Sequence, residues 1–484
     1  MIKNKKIFVL FALVLSILLC SEFSVGLNVS IDDSTKVNSE DGLKVIKIAQ
    51  YPRETASDSS FQSIFSYTWQ GNNTTYRFEI DELSLDEMKG EGDNPLTVDN
   101  YDILVVGASF DSFTKHAFDR GLLENIRNFV ESGGGYIGVC AGAYFASNGF
   151  EGNDKFYEPF LNNNILKIAN VYVNCDLDEE NQYIWKLSGS ASSARHGMPP
   201  LEMKINRSSS NPIFKDYPKS LVNITYGGGG SLYPANIDNP LYGDIDPILS
   251  INEELMDTKP IHKWHKRLIG WAKGDVIETD IYGELGGVAT SYGSGRVVIF
   301  PVHPEIRTWI NGTIEEYVGK STGFGIETPM KVVYHYDGEP QNISTNWWIH
   351  RRAAAWIAGV SEEDMPPSEE FLVLLSKPYN MGGYHLYVNN NYKNFRFDFI
   401  NKIKNKILSR IGKTVIIGDL TVEGYCENCE YMEFYLDGEL KHTDDVSPFS
   451  WEVNSTINGA HKIKVKGYGD SGSYGSDGSE FLFY

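Results

Sequence analysis

The sequence predicts an α/β protein in which a parallel sheet is covered by helices on both faces, followed by a small all-β sandwich. Three observations predict this organisation. Apolar strand patterns alternate with helical patterns through the first part of the chain. An acidic, proline-bearing stretch then interrupts the pattern at residues 362–370. Beyond it, short strands recur at regular spacing, with Asp437-Gly438 and Asn458-Gly459 as hairpin turns.

The alternation of strands and helices begins at residue 43. Strands are predicted at residues 43–49, 76–80, 101–107 and 136–139, with a helix at 60–69 between the first two. A second helix is predicted over residues 115–132, because Phe118, Leu122, Ile126 and Val130 recur every four residues. The glycines that begin at Gly133 end this helix.

Residues 150–290 are less regular and are predicted to be the rest of this domain with large insertions, including a strand candidate at 165–173. Regular strands return at residues 286–291 and 295–301. An amphipathic helix over 347–358 is expected to close the domain, with Arg351 and Arg352 on its solvated face.

The first 26 residues predict a secretory signal peptide. Three lysines precede a short apolar run at residues 7–19, and small residues follow at Ser24 and Gly26. Lipidation at Cys20 and an uncleaved anchor are the alternatives. Export to the cell surface or the medium is therefore expected. Eight Asn-x-Ser/Thr triplets agree with export as a glycoprotein, at Asn28, Asn72, Asn73, Asn206, Asn223, Asn311, Asn342 and Asn454.

The complete predicted organisation has five parts: a signal peptide (1–26), a flexible lead-in (27–42), the α/β domain (43–360), a linker (361–375) and the β-sandwich (376–484).

Composition excludes several classes of partner. The formal net charge of -21 repels nucleic acid and anionic lipid. Cys426 and Cys429 have no second cysteine pair with which to form a zinc site, so they are either a local disulfide or two free thiols. We predict no metal and no cofactor.

The central chemical signal is the segment from Gly138 to Gly142, which places Cys140 between a strand and a helix. This is the pattern of a nucleophile elbow, in which small neighbours let the strand and the helix approach each other. The backbone N–H of Ala141 is expected to face an oxyanion, with Gly107 or Ala108 supplying a second donor. The alternative is an inert, buried cysteine at a tight junction.

A second signal lies at the end of the strand over residues 295–301. His303 and Glu305 are two residues apart on an extended segment, so their side chains point to the same face. A cysteine nucleophile needs a base, and the base needs an orienting acid. We therefore expect Glu305 to hold His303 against Cys140.

These paired motifs resemble the class I glutamine amidotransferase-like superfamily. Within it, the chain is most similar to the N-terminal domain family of biotin-protein ligases, over roughly residues 43–360. The Gly-rich segment over residues 225–230 and the approach to His303 over 292–298 support the similarity. The resemblance implies a flavodoxin-like, doubly wound fold and a triad of Cys140 as nucleophile, His303 as base and Glu305 as orienter. Gly142, Gly228 and Gly229 would line the pocket.

Two departures separate the chain from that family. Tyr144 stands where glutamine amidotransferases usually carry glutamine, and no biotin-ligase catalytic domain is visible. The C-terminal part resembles Ig-like modules of secreted prokaryotic proteins, which implies adhesion, spacing or surface attachment. The first hypothesis is an exported Cys-His-Glu hydrolase, not a biotin ligase, that acts on an amide or related carbonyl of a small-molecule, peptide or cell-wall-type substrate. The alternative is a non-catalytic surface protein that keeps the fold and binds an extracellular partner through its Ig-like module.

Overall fold

A computed structural model gives the fold. It describes residues 42–51, 58–107, 119–151, 159, 162–174, 196–197, 199–227, 230–258, 260–268, 271–276, 279–310, 312–317, 331–335, 343–344, 346–368, 373–378, 385–393, 404, 407–408, 411, 413–426, 428–453, 457–469 and 474–484. The predicted signal peptide, which includes Cys20, and the lead-in as far as residue 41 lie outside these residues.

The described helices are α1 (Asp58–Phe65), α2 (Leu85–Met88), α3 (Arg120–Glu131), α4 (Ala141–Ala146), α5 (Leu255–Thr258) and α6 (Trp347–Ile357), with 3-10 turns at Pro212–Phe214 and Glu362–Asp364. None of these described helices has the length and apolar character needed to cross a bilayer.

The strands before residue 300 are β1 (Leu43–Tyr51), β2 (Thr68–Gln70), β3 (Thr75–Glu82), β4 (Ile103–Val106), β5 (Gly135–Val139), β6 (Val171–Asn174), β7 (His196–Gly197), β8 (Pro200–Ile205), β9 (Leu221–Thr225), β10 (Ser231–Pro234), β11 (Asp246–Ile251), β12 (His262–Lys266), β13 (Trp271–Val276), β14 (Leu285–Tyr292) and β15 (Gly295–Phe300).

The later strands are β16 (Thr308–Trp309), β17 (Thr313–Tyr317), β18 (Lys331–His335), β19 (Ile343–Ser344), β20 (Val373–Lys377), β21 (Leu386–Val388), β22 (Asn391–Tyr392), β23 (Thr414–Ile417), β24 (Leu420–Cys426), β25 (Tyr431–Leu436), β26 (Glu439–Asp444), β27 (Phe449–Val453), β28 (Gly459–Tyr468) and β29 (Tyr474–Phe483).

Five parallel strands form the centre of a large mixed sheet, in the spatial order β3-β1-β4-β5-β15. Alternate residues of β4 belong to two different apolar clusters: Ile103 and Val105 face one, and Leu104 and Val106 face the other. α1 and α6 contribute to the first cluster, whereas α3 and α4 contribute to the second. The prediction of an α/β region is therefore confirmed, with helices packed in the apolar clusters on both sides of a mixed sheet.

The sheet continues beyond β15 with antiparallel strands. β14 pairs with β15 and with β11, β11 pairs with β8, and β8 pairs with β9. The expectation of a parallel sheet was therefore wrong. Much of the region over residues 150–290, which was predicted to consist of insertions, instead adds antiparallel strands to the sheet. The strand predicted at 165–173 is confined to β6, and the helix predicted at 60–69 ends at Phe65, before β2.

Burial also corrects the prediction for α6. Its residues are buried from Trp347 to Ala355, so the helix lies within the core and is not amphipathic. Arg351 and Arg352 are 3% and 2% exposed, which contradicts their expected solvated position. The Arg352 guanidinium donates to the carbonyls of Ile213, Pro212 and Pro366, each at 2.6 Å. These bonds satisfy a charge that burial would otherwise make costly.

The C-terminal part is rich in β-structure. β20, β24 and β27 form one antiparallel sheet, and β25, β26, β28 and β29 belong to a second. Apolar side chains of both sheets form one core cluster that includes Val422, Phe434 and Val465. Cys426 and Cys429 form a disulfide, with their Cα atoms 5.6 Å apart.

Candidate active site

Three adjacent parallel strands end at the candidate active site. Buried Gly107 follows β4, Cys140 follows β5, and His303 lies three residues after the end of β15. β5 pairs with β4 on one side and with β15 on the other. Because the carboxyl ends of parallel strands meet at one edge of a sheet, this topology gathers the three segments there.

The turn at Cys140 has a strained backbone. Its φ of 52° and ψ of -108° are unusual for a residue with a side chain. The Cys140 N–H donates to the carbonyl of Phe300 at 2.7 Å. The Cys140 carbonyl accepts from the N–H groups of Ala143 and Tyr144 at 3.0 and 3.1 Å, in the first turn of α4. Hydrogen bonds on both sides of the residue thus hold the sharp change of direction.

Glycines allow the flanking segments to approach each other. A Cβ atom on Gly138 would lie 2.6 Å from the carbonyl oxygen of Gly142. A Cβ atom on Gly142 would lie only 2.1 Å from the carbonyl oxygen of Val106, at the end of β4. The buried Tyr136 hydroxyl donates to the Gly142 carbonyl at 2.8 Å. No larger residue fits either position without moving backbone.

His303 is buried between two chemical partners. Its Nδ1 lies 2.8 Å from Oε1 of Glu305, and its side chain also hydrogen bonds to Cys140. Burial alone would lower the pKa of His303, but the charges of Cys140 and Glu305 and the hydrogen bonds to them hold this pKa well above its usual range. The His303 N–H donates to the carbonyl of Thr225 at 2.9 Å, which fixes the backbone of this segment against β9.

Glu305 is completely buried. Its backbone carbonyl accepts from Nε1 of Trp347 at 2.9 Å. Its second carboxylate oxygen, Oε2, lies 4.0 Å from Nε2 of His350 and has no hydrogen-bond partner in the structure.

His350 lies beneath this carboxylate. It is 0% exposed, and neither ring nitrogen has a hydrogen-bond partner in the structure. Burial lowers the pKa of His350 to about 4, with the Glu305 carboxylate opposing this change and His303 adding to it. The ring is therefore neutral at physiological pH.

The remaining predicted pocket residues have mixed positions. Ala141 is the buried first residue of α4. The Tyr144 ring packs against Phe150, with ring centroids 5.4 Å apart. Ala108, Gly228 and Gly229 lie outside the described residues. Thr225 forms an antiparallel bridge with His303, so the Gly-rich segment begins beside the candidate base.

Sequence reasoning missed the residues that support Glu305. Trp347 and His350 are three positions apart, a helical spacing that places these side chains on one face. Because α6 is buried all round, a polar residue on that face must meet another buried group. This was the available signal, and the expectation of a solvated helix face obscured it.

Within the described part of the chain, no three His, Cys, Asp or Glu side chains are grouped as they would be to hold a metal ion.

Residues 100–158 match the family model described as Biotin-protein ligase, N terminal. This segment contains β4, the Cys140 turn and α4, but not His303 or Glu305. The biotin-protein ligase part of the resemblance is thus supported over less than half of the chain. No curated protein matches the sequence.

Several solved structures are similar to parts of the chain. Fibronectin(III)-like modules of Clostridium thermocellum CbhA share 23% identity over 14% of this chain and 84% of theirs, with a TM-score of 0.14. A cytoplasmic protein from Salmonella typhimurium LT2 shares 13% identity over 54% of this chain and 88% of its own, with a TM-score of 0.27. A cold-adapted β-galactosidase from Rahnella sp. R3 shares 9% identity over 54% of this chain and 29% of its own, with a TM-score of 0.23.

Proposed function

We propose that the protein is a cysteine-nucleophile hydrolase that acts on an amide or a related carbonyl, with Cys140, His303 and Glu305 as its triad. One observation carries the proposal: the buried His303 side chain hydrogen bonds to Cys140 and to Glu305. A base that touches both a thiol and an orienting carboxylate has the arrangement that nucleophilic catalysis requires. The strained turn at Cys140 is a second support.

The reaction follows from the roles of these groups. The Cys140 thiol gives its proton to His303, and the thiolate adds to the carbonyl carbon. The backbone N–H of Ala141, with the segment at Gly107 and Ala108, stabilises the oxyanion. The His303 imidazolium then protonates the leaving nitrogen, and the C–N bond breaks to leave a thioester on Cys140. Water, deprotonated by His303, hydrolyses the thioester and restores the thiol.

The fold expectation belongs to the same proposal. The order β3-β1-β4-β5-β15 places the five parallel strands as 2-1-3-4-5 in chain order, which is the strand order of flavodoxin-like sheets. This order and the match to the biotin-protein ligase N-terminal family favour a class I glutamine amidotransferase-like domain. In such sheets, ligands bind outside the carboxyl ends of the strands, where Cys140 lies.

The setting of the reaction is also proposed. The N-terminal lysines and apolar run favour export, and the β-rich C-terminal part favours an Ig-like module with a cell-surface or extracellular partner. The substrate is then a small molecule, a peptide or a cell-wall-type amide. Tyr144, where amidotransferases usually carry glutamine, favours the second candidate, a binding protein that keeps the fold without turnover.

The test is the pH dependence of Cys140 alkylation by iodoacetamide, read by mass spectrometry so that each cysteine is followed separately. An unperturbed thiol reacts as it ionises near pH 8.5. We expect Cys140 to react rapidly well below pH 8, and His303→Ala to slow this reaction by at least tenfold at pH 6.5. Rapid alkylation would then justify a screen of amide substrates.

The control variant is His461→Ala, which removes an imidazole paired with Asp437 in the C-terminal part and should leave the rate unchanged. If Cys140 is inert in the native protein, or reacts equally in His303→Ala, the triad is refuted and the binding protein is favoured.

A further inference from the structure

The C-terminal part of the chain contacts the segment that carries the candidate base. Nη2 of Arg307 lies 3.0 Å from Oδ2 of Asp477, and their side chains are 11% and 7% exposed. The same Asp477 oxygen accepts the backbone N–H of Leu375 at 2.8 Å. Arg307 follows Glu305 by two residues, whereas Leu375 lies in β20 and Asp477 in β29. One buried carboxylate therefore joins the candidate active site to two strands of the module.

Two further contacts join the same parts. Trp309 and Tyr334 form an apolar cluster with Leu374, and Tyr425 packs against it. The Tyr334 hydroxyl donates to the Trp309 carbonyl at 2.6 Å, so this cluster also fixes the backbone just after Arg307. In addition, β2 pairs with β29. The module is thus packed against the domain that contains Cys140.

Arg307 contacts the groups that hold Glu305 and His303. Its guanidinium lies over the ring of Trp347, 5.3 Å from the centroid, and Trp347 donates to the Glu305 carbonyl. The Arg307 carbonyl accepts from Oγ1 of Thr225 at 3.5 Å, and Thr225 also accepts the His303 N–H. Two residues that hold the His303–Glu305 segment, Trp347 and Thr225, therefore also contact Arg307.

We propose that Arg307 is a positioning residue anchored by Asp477, so that the C-terminal module holds His303 and Glu305 in place against Cys140. The inference rests on the proposed function, because its test measures the reactivity of Cys140. The His303–Glu305 pair lies on a short non-helical segment between β15 and β16, which gains its position from such contacts. A displacement of about 1 Å in a catalytic group can cost about a hundredfold in rate. The module then contributes to the chemistry as well as to any attachment.

The experiment measures the pH profile of Cys140 alkylation in the full chain with Asp477→Asn. The matched control is Glu480→Gln, which removes an acid three residues along the same strand, where Glu480 pairs with Lys413 at the surface. We expect Asp477→Asn to slow alkylation at least tenfold at pH 6.5 and to move the midpoint of the profile upward, towards that of His303→Ala. Glu480→Gln should stay within twofold of the natural protein.

Two more variants separate positioning from folding. Asp477→Glu keeps the charge but moves the carboxylate, and Arg307→Lys keeps the charge but loses the planar fork that pairs with it. We expect both to keep the native near-ultraviolet circular dichroism and to show an intermediate midpoint. A profile identical to that of the natural protein in folded Asp477→Asn would overturn the proposal. Loss of the folded state even in Asp477→Glu would also overturn it, in favour of a purely structural pair.

The two proposals fail differently. If the proposed function is wrong, Cys140 alkylation in the natural protein is slow and does not respond to His303→Ala. If only the role of Arg307 is wrong, the natural protein reacts rapidly, His303→Ala slows it, and the Asp477 variants do not.

Discussion

Replacing His350 by phenylalanine should remove a large part of the acid sensitivity of the fold. His350 packs edge-on against Phe61 and Phe300, with ring centroids 5.4 and 5.7 Å away. It has no solvent exposure, and burial lowers its pKa from 6.5 to about 4. Phenylalanine keeps an aromatic ring against Phe61 and Phe300 and cannot take up a proton.

The sign of the effect follows from proton linkage. Between pH 6.5 and about 4, the unfolded chain protonates His350 and the folded chain does not. The contribution of His350 to the free energy of unfolding is therefore present above pH 6.5 and is lost as the pH falls towards 4. One pKa unit corresponds to about 1.4 kcal/mol, so the full loss is about 3 kcal/mol, of which about 2 kcal/mol falls between pH 7 and pH 5.

The assay is urea unfolding of both proteins at pH 7 and pH 5, followed by tryptophan fluorescence. We expect the natural protein to lose about 2 kcal/mol more than His350→Phe between these two conditions. The comparison removes the contributions of groups that titrate in both proteins. Equal losses in the two proteins would refute the assignment of a neutral, buried His350.

His461 is the matched control. Hydrogen bonding to Asp437 raises its pKa, so its contribution is present below pH 6.5 and is lost as the pH rises. His461→Gln should therefore change the pH dependence in the opposite direction and by much less, because this ring lies near the surface.

Three other substitutions test the packing. Gly142→Ala places a Cβ atom 2.1 Å from the Val106 carbonyl oxygen and should slow Cys140 alkylation at pH 6.5 at least tenfold, whereas an unchanged rate would contradict the tight elbow. Arg352→Met removes the donor of the Ile213 and Pro366 carbonyls and one of two donors of the Pro212 carbonyl, and it should cost about 3 kcal/mol in urea unfolding. Joint replacement of Cys426 and Cys429 by serine opens a loop closed over a separation of three residues, with an expected loss of roughly 2 kcal/mol.

The central strands were predictable because their residues are buried on both faces. Such strands are nearly continuous apolar runs, as in β4, whose four residues are all buried. The antiparallel strands β8, β9 and β11 were not, since they mix buried residues with partly or fully exposed ones over short lengths. β8 illustrates this: it pairs with β9 and with β11, which lie well apart from it in the sequence. Local pattern carries no information on such pairings.

The residues of the candidate site likewise fall into two groups, those that the sequence predicted and those that it did not. Cys140, His303 and Glu305 were singled out as candidates because each stands next to a strand end with a recognisable local pattern, and the structure places His303 beside the other two. Arg307 and His350 stand in segments whose local pattern indicates only a loop or a helix face. Their partners, Asp477 and Glu305, are distant in sequence, so only the folded structure could reveal the contacts.

The predicted linker between the α/β region and the module, residues 361–375, shows that composition alone does not establish whether a segment is flexible. Its acidic residues and prolines predict a linker, and its boundaries stay a prediction. Yet the Asp364 carboxylate accepts from the backbone N–H of Asn72 and from the Tyr76 hydroxyl, and its carbonyl accepts from Trp69. These hydrogen bonds fix Asp364 against the α/β region, so this part of the stretch is not a free spacer. The described part of this stretch, residues 361–368, is thus held against the α/β region by Asp364, and the module contacts the same region separately through Asp477.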